Sequence, residues 1–479
     1  MTAMVIPSAG ASSDFANWAA IDWRTVEVEV KRLQMRIAKA IREGRQGKAK
    51  ALQWLLTHSF YAKLLAVKRV TASPGAKTPG IDGVVWLTHR QKFEAAKALH
   101  RKGYHSQPLR RIYIPKKNGQ QRPLSIPTLH CRAQQALHLL GLEPVTEVKA
   151  DPCAYGFRPK RSTADAIAHC FNVLSRSVSA TYVLEGDIKA CFDKIDHKWI
   201  ESNTMLDRKM LTQWLNAGYI ERGSREIHAT VEGVPQGGII SPCITVGTLS
   251  GLAEAAKAAT KSRDKVHVIS YADDFIITGT TKEVLEKQVQ PAIEAFLHER
   301  GLTLSLEKTK ITHIEEGFDF LGFNVRKYDS KLLIKPTKSN VTSFLKSIRE
   351  LIKSQATAKT ENLIRLLNPK LRGWANYYRH VVSKRTFSYV NSEVFRALWL
   401  WAKRRHPNKG LRWIKRKYFR TIRWRNWVFS TRIKDKRGKY LSLELFNVAD
   451  VRIKRHVKIR SDATPYDPQY AEYFKERGR

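Results

Sequence analysis

The chain has 479 residues, 43% of them apolar, with 85 Lys and Arg against 43 Asp and Glu, a formal net charge of +42 and a pI of about 10.2. This length suggests about three domains with substantial cores, which argues against wholesale disorder, and so large a single-sign field repels itself unless a polyanion neutralises it, so nucleic acid is the expected partner. No run approaches the roughly 18 uninterrupted apolar residues of a membrane span, and Met1 to Asn17 lacks the apolar stretch of a secretion signal, so a cytoplasmic protein without a membrane partner is expected.

The five cysteines, Cys131, Cys153, Cys170, Cys191 and Cys243, are odd in number, widely spaced and never in a CxxC pair. That pattern indicates neither a disulfide framework nor a zinc site, and they read as reduced core thiols. From the N-terminus, residues 26–43 place Val30, Leu33, Ile37 and Ile41 at helical spacing, with Lys31, Arg32, Arg36, Lys39 and Arg42 elsewhere around the helix. A second helical stretch runs to about Val70. The turn-forming segment Ala72 to Gly83 then reads as a loop, after which a new unit begins.

From about 110 to 330, β-rich runs alternate with helical patterns, as in an α+β domain with helices packed on one side of a sheet. Arg110 to Leu124 reads as a basic hairpin turning at Asn118-Gly119. Its cations suit a triphosphate, or keep an edge hairpin soluble. Tyr182 to Phe192 presents Asp187 after an apolar strand and an aromatic five residues on, with Glu185, Asp193 and Asp196 as competing acids. Gly233-Val234-Pro235-Gln236-Gly237-Gly238 allows close approach of backbone to a ligand.

Tyr271-Ala272-Asp273-Asp274 places two adjacent carboxylates at the tip of an apolar hairpin, Val266 to Ser270 before and Phe275 to Gly279 after. Desolvating neighbouring acids is costly unless a cation offsets their repulsion, and Mg²⁺ is the natural one. Two-metal phosphoryl transfer needs several acids on rigid strands, and Asp187 with Asp273 and Asp274 would meet that minimum.

Beyond Lys338 three amphipathic helices are predicted: Val341, Phe344, Leu345, Ile348, Leu351 and Ile352; then Ile364, Leu367, Leu371 and Trp374; then Phe387, Val390, Val394 and Trp401. Pro369 to Lys434 holds 19 Lys or Arg and one acid, Glu393, with six of the twelve tryptophans: Trp374, Trp399, Trp401, Trp413, Trp424 and Trp427. Some of these indoles are expected in the bundle core. With acids absent, the cations in Lys415-Arg416-Lys417-Tyr418-Phe419-Arg420 read as phosphate contacts interleaved with base-stacking aromatics.

The order of the pieces resembles the reverse transcriptases encoded by bacterial group II introns: basic hairpin, Asp187 with Phe192, Pro235-Gln236-Gly237, Tyr271 to Asp274, Leu304-Ser305-Leu306-Glu307-Lys308-Thr309-Lys310, then Phe320-Leu321-Gly322-Phe323. Arg372-Gly373-Trp374-Ala375-Asn376-Tyr377-Tyr378-Arg379 and Arg404-Arg405-His406-Pro407 through Phe419 resemble the family's maturase or thumb domain, and Trp23 to Gly83 its N-terminal extension.

The resemblance implies a right-hand polymerase, fingers and palm with an antiparallel sheet, followed by a helical thumb. It divides the chain into a basic helical extension (1–83), fingers and palm (84–330), thumb and maturase domain (331–435) and a remnant of a DNA-binding segment (436–479). It implies Asp187, Asp273 and Asp274 as ligands of two Mg²⁺. Lys116 or Lys117 with Arg122 would contact dNTP phosphates, Phe192 would act as steric gate, and Gln236 and Gly237 would shape the nucleotide pocket. Lys308 would lie near the phosphates, and Phe320, Leu321, Gly322 and Phe323 would grip the primer. Arg32, Arg36, Arg372, Arg379, Arg404, Arg405, Lys415, Arg416 and Lys417 are the RNA contacts expected.

The implied partners are group II intron RNA, template RNA, primer or target DNA and dNTPs, with association to the bacterial nucleoid during retrohoming; dimerisation is not readable. A splicing-only maturase and a host-adapted enzyme of repair or phage defence are the alternatives. The chain departs from the family's pattern at Cys131, where an acid is common, at Cys243-Ile244-Thr245-Val246, and at Lys160, where glycine is common. Many relatives continue into a Cys-containing HNH nuclease. With no cysteine after Cys243, this chain is expected to lack one, by nature or by truncation.

Overall fold

The computed structural model describes residues 18–115, 119–434 and 438–478, and these form two compact units. The first takes the described residues of 1–162, 184–311 and 459–479; the second takes those of 163–183 and 312–458. No helix among them is long and apolar enough to cross a membrane.

The first unit opens with α1 (Trp23–Arg42), α2 (Gln46–His58) and α3 (Phe60–Thr71). Asp22 caps α1 by accepting from the Arg24 amide at 3.0 Å, and Val26, Val30 and Ile37 form its buried stripe while Arg32 and Arg36 stay exposed. These helices share one core with α4 (Leu129–Lys149), which is buried along most of its length. Thr128 caps α4, its hydroxyl accepting from the Cys131 amide at 3.2 Å. Arg132 inside this helix donates to the Gly75 carbonyl at 2.9 Å and so holds the turn-rich segment that follows α3.

Two sheets follow, the first wholly within this unit. β1 (Leu109–Pro115) and β2 (Gln121–Ile126) pair antiparallel from Arg110↔Ile126 to Pro115↔Gln121, as the hairpin reading predicts, and β4 (Tyr219–Ile220) adds to the β1 edge. Lys116 and Lys117, with Asn118 of the turn, lie outside the described residues. The other sheet has the order β5-β6-β3-β7, from β3 (Tyr182–Asp187), β5 (Val268–Tyr271), β6 (Asp274–Gly279) and β7 (Lys310–His313).

In the second unit, β8 (Phe318–Phe320), β9 (Phe323–Tyr328) and β10 (Lys331–Pro336) form a meander. The predicted bundle follows as α5 (Lys338–Ser354), α6 (Thr360–Tyr378) and α7 (Lys384–Arg405), burying Val341, Leu345, Ile348, Leu367, Leu371, Phe387 and Val394. A fourth helix, α8 (Leu411–Tyr418), leads into a sheet that periodicity does not signal: β11 (Phe419–Ile422), β12 (Arg425–Lys434) and β13 (Tyr440–Glu444). The boundary expected after 330 falls between the paired strands β9 and β10, and the one expected after 435 lies outside the described residues. All five cysteines are free, four buried and Cys153 half-buried, in keeping with core thiols.

Candidate active site

The acidic tip is built by strand pairing. β5 and β6 pair from Val268↔Ile277 to Tyr271↔Asp274, which leaves Ala272 and Asp273 as a two-residue turn. Ala272 sits at φ 59°, a left-handed conformation costly for a residue with a Cβ, so something must hold it. The holder is the segment before Phe157. Tyr155 N donates to the Ser270 carbonyl at 2.9 Å and Ser270 N to the Cys153 carbonyl at 3.1 Å. A Cβ on Gly156 would lie 2.2 Å from the Ala272 nitrogen, so only glycine lets the two backbones meet. That segment is itself anchored by a buried pair: Arg158 Nε donates to Glu147 at 2.6 Å, both side chains 2% exposed.

Asp187 ends β3 beside this tip. Gly186 before it leaves room for the Phe275 ring, which a Cβ would meet at 2.3 Å. Ser305 N donates to the Asp187 carbonyl at 2.8 Å, and the Lys308 ammonium donates to the Asp187 carboxylate at 2.7 Å. The competing acids are engaged elsewhere. Glu185 pairs with Lys310 at 3.2 Å, Asp193 accepts from Gln236 Nε2 at 3.0 Å, and Asp196 accepts from the Trp199 amide at 2.6 Å as a helix cap.

The three carboxylates act on one another. Burial, with Asp273 and Asp187 nearby, pushes Asp274 up to about 6, opposed by Lys308. Burial also raises Asp273, with Asp187 adding to it and the Arg122 and Lys308 cations pulling back. Arg122, on β2, is thus near enough to Asp273 to act on it electrostatically. Lys308 is raised by its bond to Asp187. Such a donor set fits a hard divalent cation, which would relieve the repulsion that the lone ammonium only partly offsets. No group of three or more His, Cys, Asp or Glu among the described residues forms a ready metal cage.

Around the acids, Phe192 is half-buried and its ring meets Phe157 edge-on at 5.9 Å. The backbone ties Val234 N to the Phe192 carbonyl at 2.6 Å and Ser125 N to the Gln236 carbonyl at 2.7 Å, so the Pro-Gln-Gly loop bridges β2 and the Phe192 turn. Gly237, at φ 120°, would place a Cβ 2.6 Å from the Ser125 carbonyl. Phe157, Gly156 and Gly186 are site residues that sequence reasoning missed. Their signal is tertiary, Gly156 against the Ala272 backbone, Gly186 under the Phe275 ring and Phe157 edge-on to Phe192, which a single chain does not announce.

In the second unit, Leu321 (φ 51°) and Gly322 (φ 81°) turn β8 into β9. Tyr377 and Tyr378 hydroxyls donate to the Leu321 and Gly322 carbonyls at 2.8 and 3.2 Å. The Phe320 and Phe323 rings are buried, Phe323 stacked on Tyr377 at 5.2 Å. Those rings anchor the turn, and its backbone and Leu321 are what it presents.

The predicted RNA contacts also divide. Arg372, Arg404, Lys415, Arg416 and Lys417 are exposed; Arg379 is half-buried. Lys415 lies over Trp427 at 4.5 Å and Lys417 over Trp413 at 4.6 Å, cations already set on aromatic faces. Arg405 is spent within the unit, donating to the Thr357 and Ala358 carbonyls at 3.1 and 2.5 Å. Trp401 is buried and Trp374 stacks on Phe344 at 4.8 Å, whereas Trp424 is 81% exposed.

Three family models match the chain: the N-terminal domain of reverse transcriptase over residues 18–99, reverse transcriptase (RNA-dependent DNA polymerase) over 114–325, and the group II intron maturase-specific domain over 341–419. Protein YkfC of Escherichia coli is 32% identical over 305 residues, covering 54% of this chain and 79% of that one. The group II intron-encoded protein LtrA of Lactococcus lactis subsp. cremoris is 27% identical over 342 residues, covering 57% of this chain and 56% of its own length. Among solved structures, telomerase from Candida albicans matches with a TM-score of 0.38 and 12% identity, covering 65% of this chain and 64% of that one, too loose a likeness to bear on function.

Proposed function

Because this chain belongs to the group II intron reverse transcriptase and maturase family, we propose that it copies RNA into DNA and assists splicing of its intron RNA. The carrying observation is the convergence of Asp187, Asp273 and Asp274 with Lys308 on adjacent strand ends. These carboxylates would hold two Mg²⁺, whose chemistry when bound is to activate a primer 3′-hydroxyl and neutralise the departing pyrophosphate. Arg122 and Lys308 supply positive charge for the dNTP phosphates, with Lys116 and Lys117 of the hairpin turn as further candidates. Phe192, backed by Phe157, closes the space under the sugar and so excludes a 2′-hydroxyl by sterics. Gln236 and Gly237 shape the pocket beside the templating pair, and the Leu321-Gly322 turn supports the primer.

Arg32 and Arg36 on α1, with Arg372, Arg379, Arg404, Lys415, Arg416 and Lys417 of the second unit, give the phosphate contacts for intron RNA. Arg405 contributes through the loop it braces. We place the protein in a bacterial cytoplasm, acting on template RNA and primer or target DNA during retrohoming. Primer extension on an RNA template with Mg²⁺ and dNTPs tests the reading: wild type yields cDNA and Asp273→Ala yields none while binding intron RNA like wild type. A wild-type protein that binds the RNA but makes no cDNA would instead be a splicing-only factor.

A further inference from the structure

A cavity of about 250 Å³ lies in the first unit between α2, α3 and α4, and none of its lining residues belongs to the catalytic set. Lys50, Trp54 and His58 recur every fourth residue on α2, so they share one face of that helix. Trp54 is 61% exposed, and its ring stacks on His58 at 4.1 Å and 26°. His58 is fixed in turn through Nδ1 against the Trp54 carbonyl at 2.8 Å. An exposed indole held by a second ring makes a flat platform with a free face.

Gln134 of α4 lines the same cavity and is fully buried. Its Nε2 donates to the His100 carbonyl at 2.9 Å, which fixes the amide's orientation, because a carbonyl accepts only from a donor. Its Oε1 is left buried with no hydrogen-bond partner, a rare and costly condition that a ligand N–H would remove once a small shift of the amide opens it to the cavity. Lys63 of α3, half-buried, has no carboxylate within ion-pair distance among the described residues, and burial lowers its pKa, so an anion would stabilise its charge. Arg101, by contrast, is already held by Asp207 at 2.6 Å.

A platform for a planar ring, a buried acceptor awaiting an N–H and an unpaired cation describe one ligand class. We propose that this cavity binds a single nucleotide, its base stacked on Trp54 with an N–H directed at Gln134 Oε1 and its phosphate on Lys63. The volume, about 250 Å³, falls below the roughly 300–1,000 Å³ of sites that enclose a drug-sized ligand, so it holds part of one nucleotide and leaves the rest in solvent beside the exposed Trp54. Resting on the reading that this protein handles RNA, the source is an unpaired nucleotide of a strand or a free nucleotide of the same chemistry.

The test is equilibrium binding to the full chain in EDTA, where no polymerisation runs, using the four ribonucleoside monophosphates and a single-stranded RNA tetranucleotide. Trp54→Ala removes an exposed ring and leaves the core intact; Lys63→Met keeps the stem and removes the charge, and Lys63→Arg restores it. Each loss variant is expected to bind roughly tenfold more weakly, the scale of one base–aromatic stack, with Lys63→Arg near wild type. Binding of monophosphates assigns the site to free nucleotides, and binding of the tetranucleotide alone assigns it to a strand. Wild-type affinity in both loss variants, or no probe bound by wild type, overturns the proposal. Either result leaves primer extension and its dependence on Asp273 untouched, so the two readings fail separately.

Discussion

The hairpin tip at Tyr271 to Asp274 and the basic segment from Pro369 to Lys434 handle charge in opposite ways. At the tip, like charges are forced together by backbone that admits no variation: Gly156 against Ala272, Gly186 under Phe275, Gly237 against Ser125. The basic segment itself holds 19 cations and a single acid, Glu393, already paired with Arg349 at 2.5 Å and Arg396 at 2.6 Å, and only Arg425 among its cations also reaches acids beyond it, Glu444 and Asp450, among the described residues. Chemistry at one point needs position to a fraction of an ångström, whereas holding a polyanion needs only a surface of the right sign. Damage to the tip should be local and severe, and damage to the basic segment distributed and salt-dependent.

The largest effect expected is on the basic side. Binding of intron RNA should fall by roughly 10³–10⁵ between 50 and 200 mM salt if six to ten phosphates are neutralised. Replacing Arg404, Lys415 or Lys417 singly with alanine should lower the slope of log affinity against log salt by about one each. Titration by filter binding measures this. A nearly flat response would erase the contrast, since affinity would then not be a matter of summed charge.

Next comes Gly156→Ala. One methyl group aimed at the Ala272 nitrogen must move the turn that carries Asp273, and a displacement of about 1 Å is worth about 100-fold in rate. Primer extension should drop by at least that order and the circular-dichroism melt should fall with it, while RNA binding, carried by other surfaces, stays close to wild type. Unchanged extension would mean that the tip tolerates movement, and the contrast with the basic segment would lose its sharper half.

A smaller effect concerns pH. Asp274 is raised to about 6, so its carboxylate is protonated below that value and ionised above it. Metal binding requires the ionised form, so primer extension should fall about tenfold per unit as pH drops below about 6. Lys308 lowers both Asp273 and Asp274, and Lys308→Met should therefore shift the acid limb to higher pH. A pH–rate profile whose acid limb stays in place in that variant would show that Lys308 does not set the charge balance of the triad.

The tip was legible because its signal is local: alternating apolar residues, two adjacent acids, and Asp187 after another apolar strand. The bundle was legible through the 3.6-residue spacing of Val341 to Ile352. What escaped is tertiary. Gly156 matters only because Ala272, 116 positions later, comes to lie against it, and Arg405 looks like its exposed neighbour Arg404 until the carbonyls of the α5–α6 loop are seen around it. The sheet β11-β12-β13 lies inside a stretch so rich in cations that charge hid its alternation, and Phe320 and Phe323 read as contacts although their rings fill the core.

Lys160 tests the same contrast at its gentlest. It is exposed and sits at φ 61°, in the loop that carries Gly156 and Phe157, and a left-handed conformation costs a residue with a Cβ about 1–2 kcal/mol. Glycine would remove that strain but return about 0.5–1 kcal/mol to the unfolded chain as entropy. Lys160→Gly should therefore stabilise the fold by roughly 0.5 kcal/mol, a rise in Tm of one or two degrees on the scale of a domain this large. Calorimetry reads the stability and primer extension reads the site. A stabilised variant with unchanged extension would show that the strain at Lys160 is incidental, and that only Gly156 fixes the tip. A stabilised variant with slower extension would assign the Lys160 cation to substrate, moving one charge from the distributed class to the positioned one. A destabilised variant would mean that the lysine makes a contact worth more than its strained backbone costs.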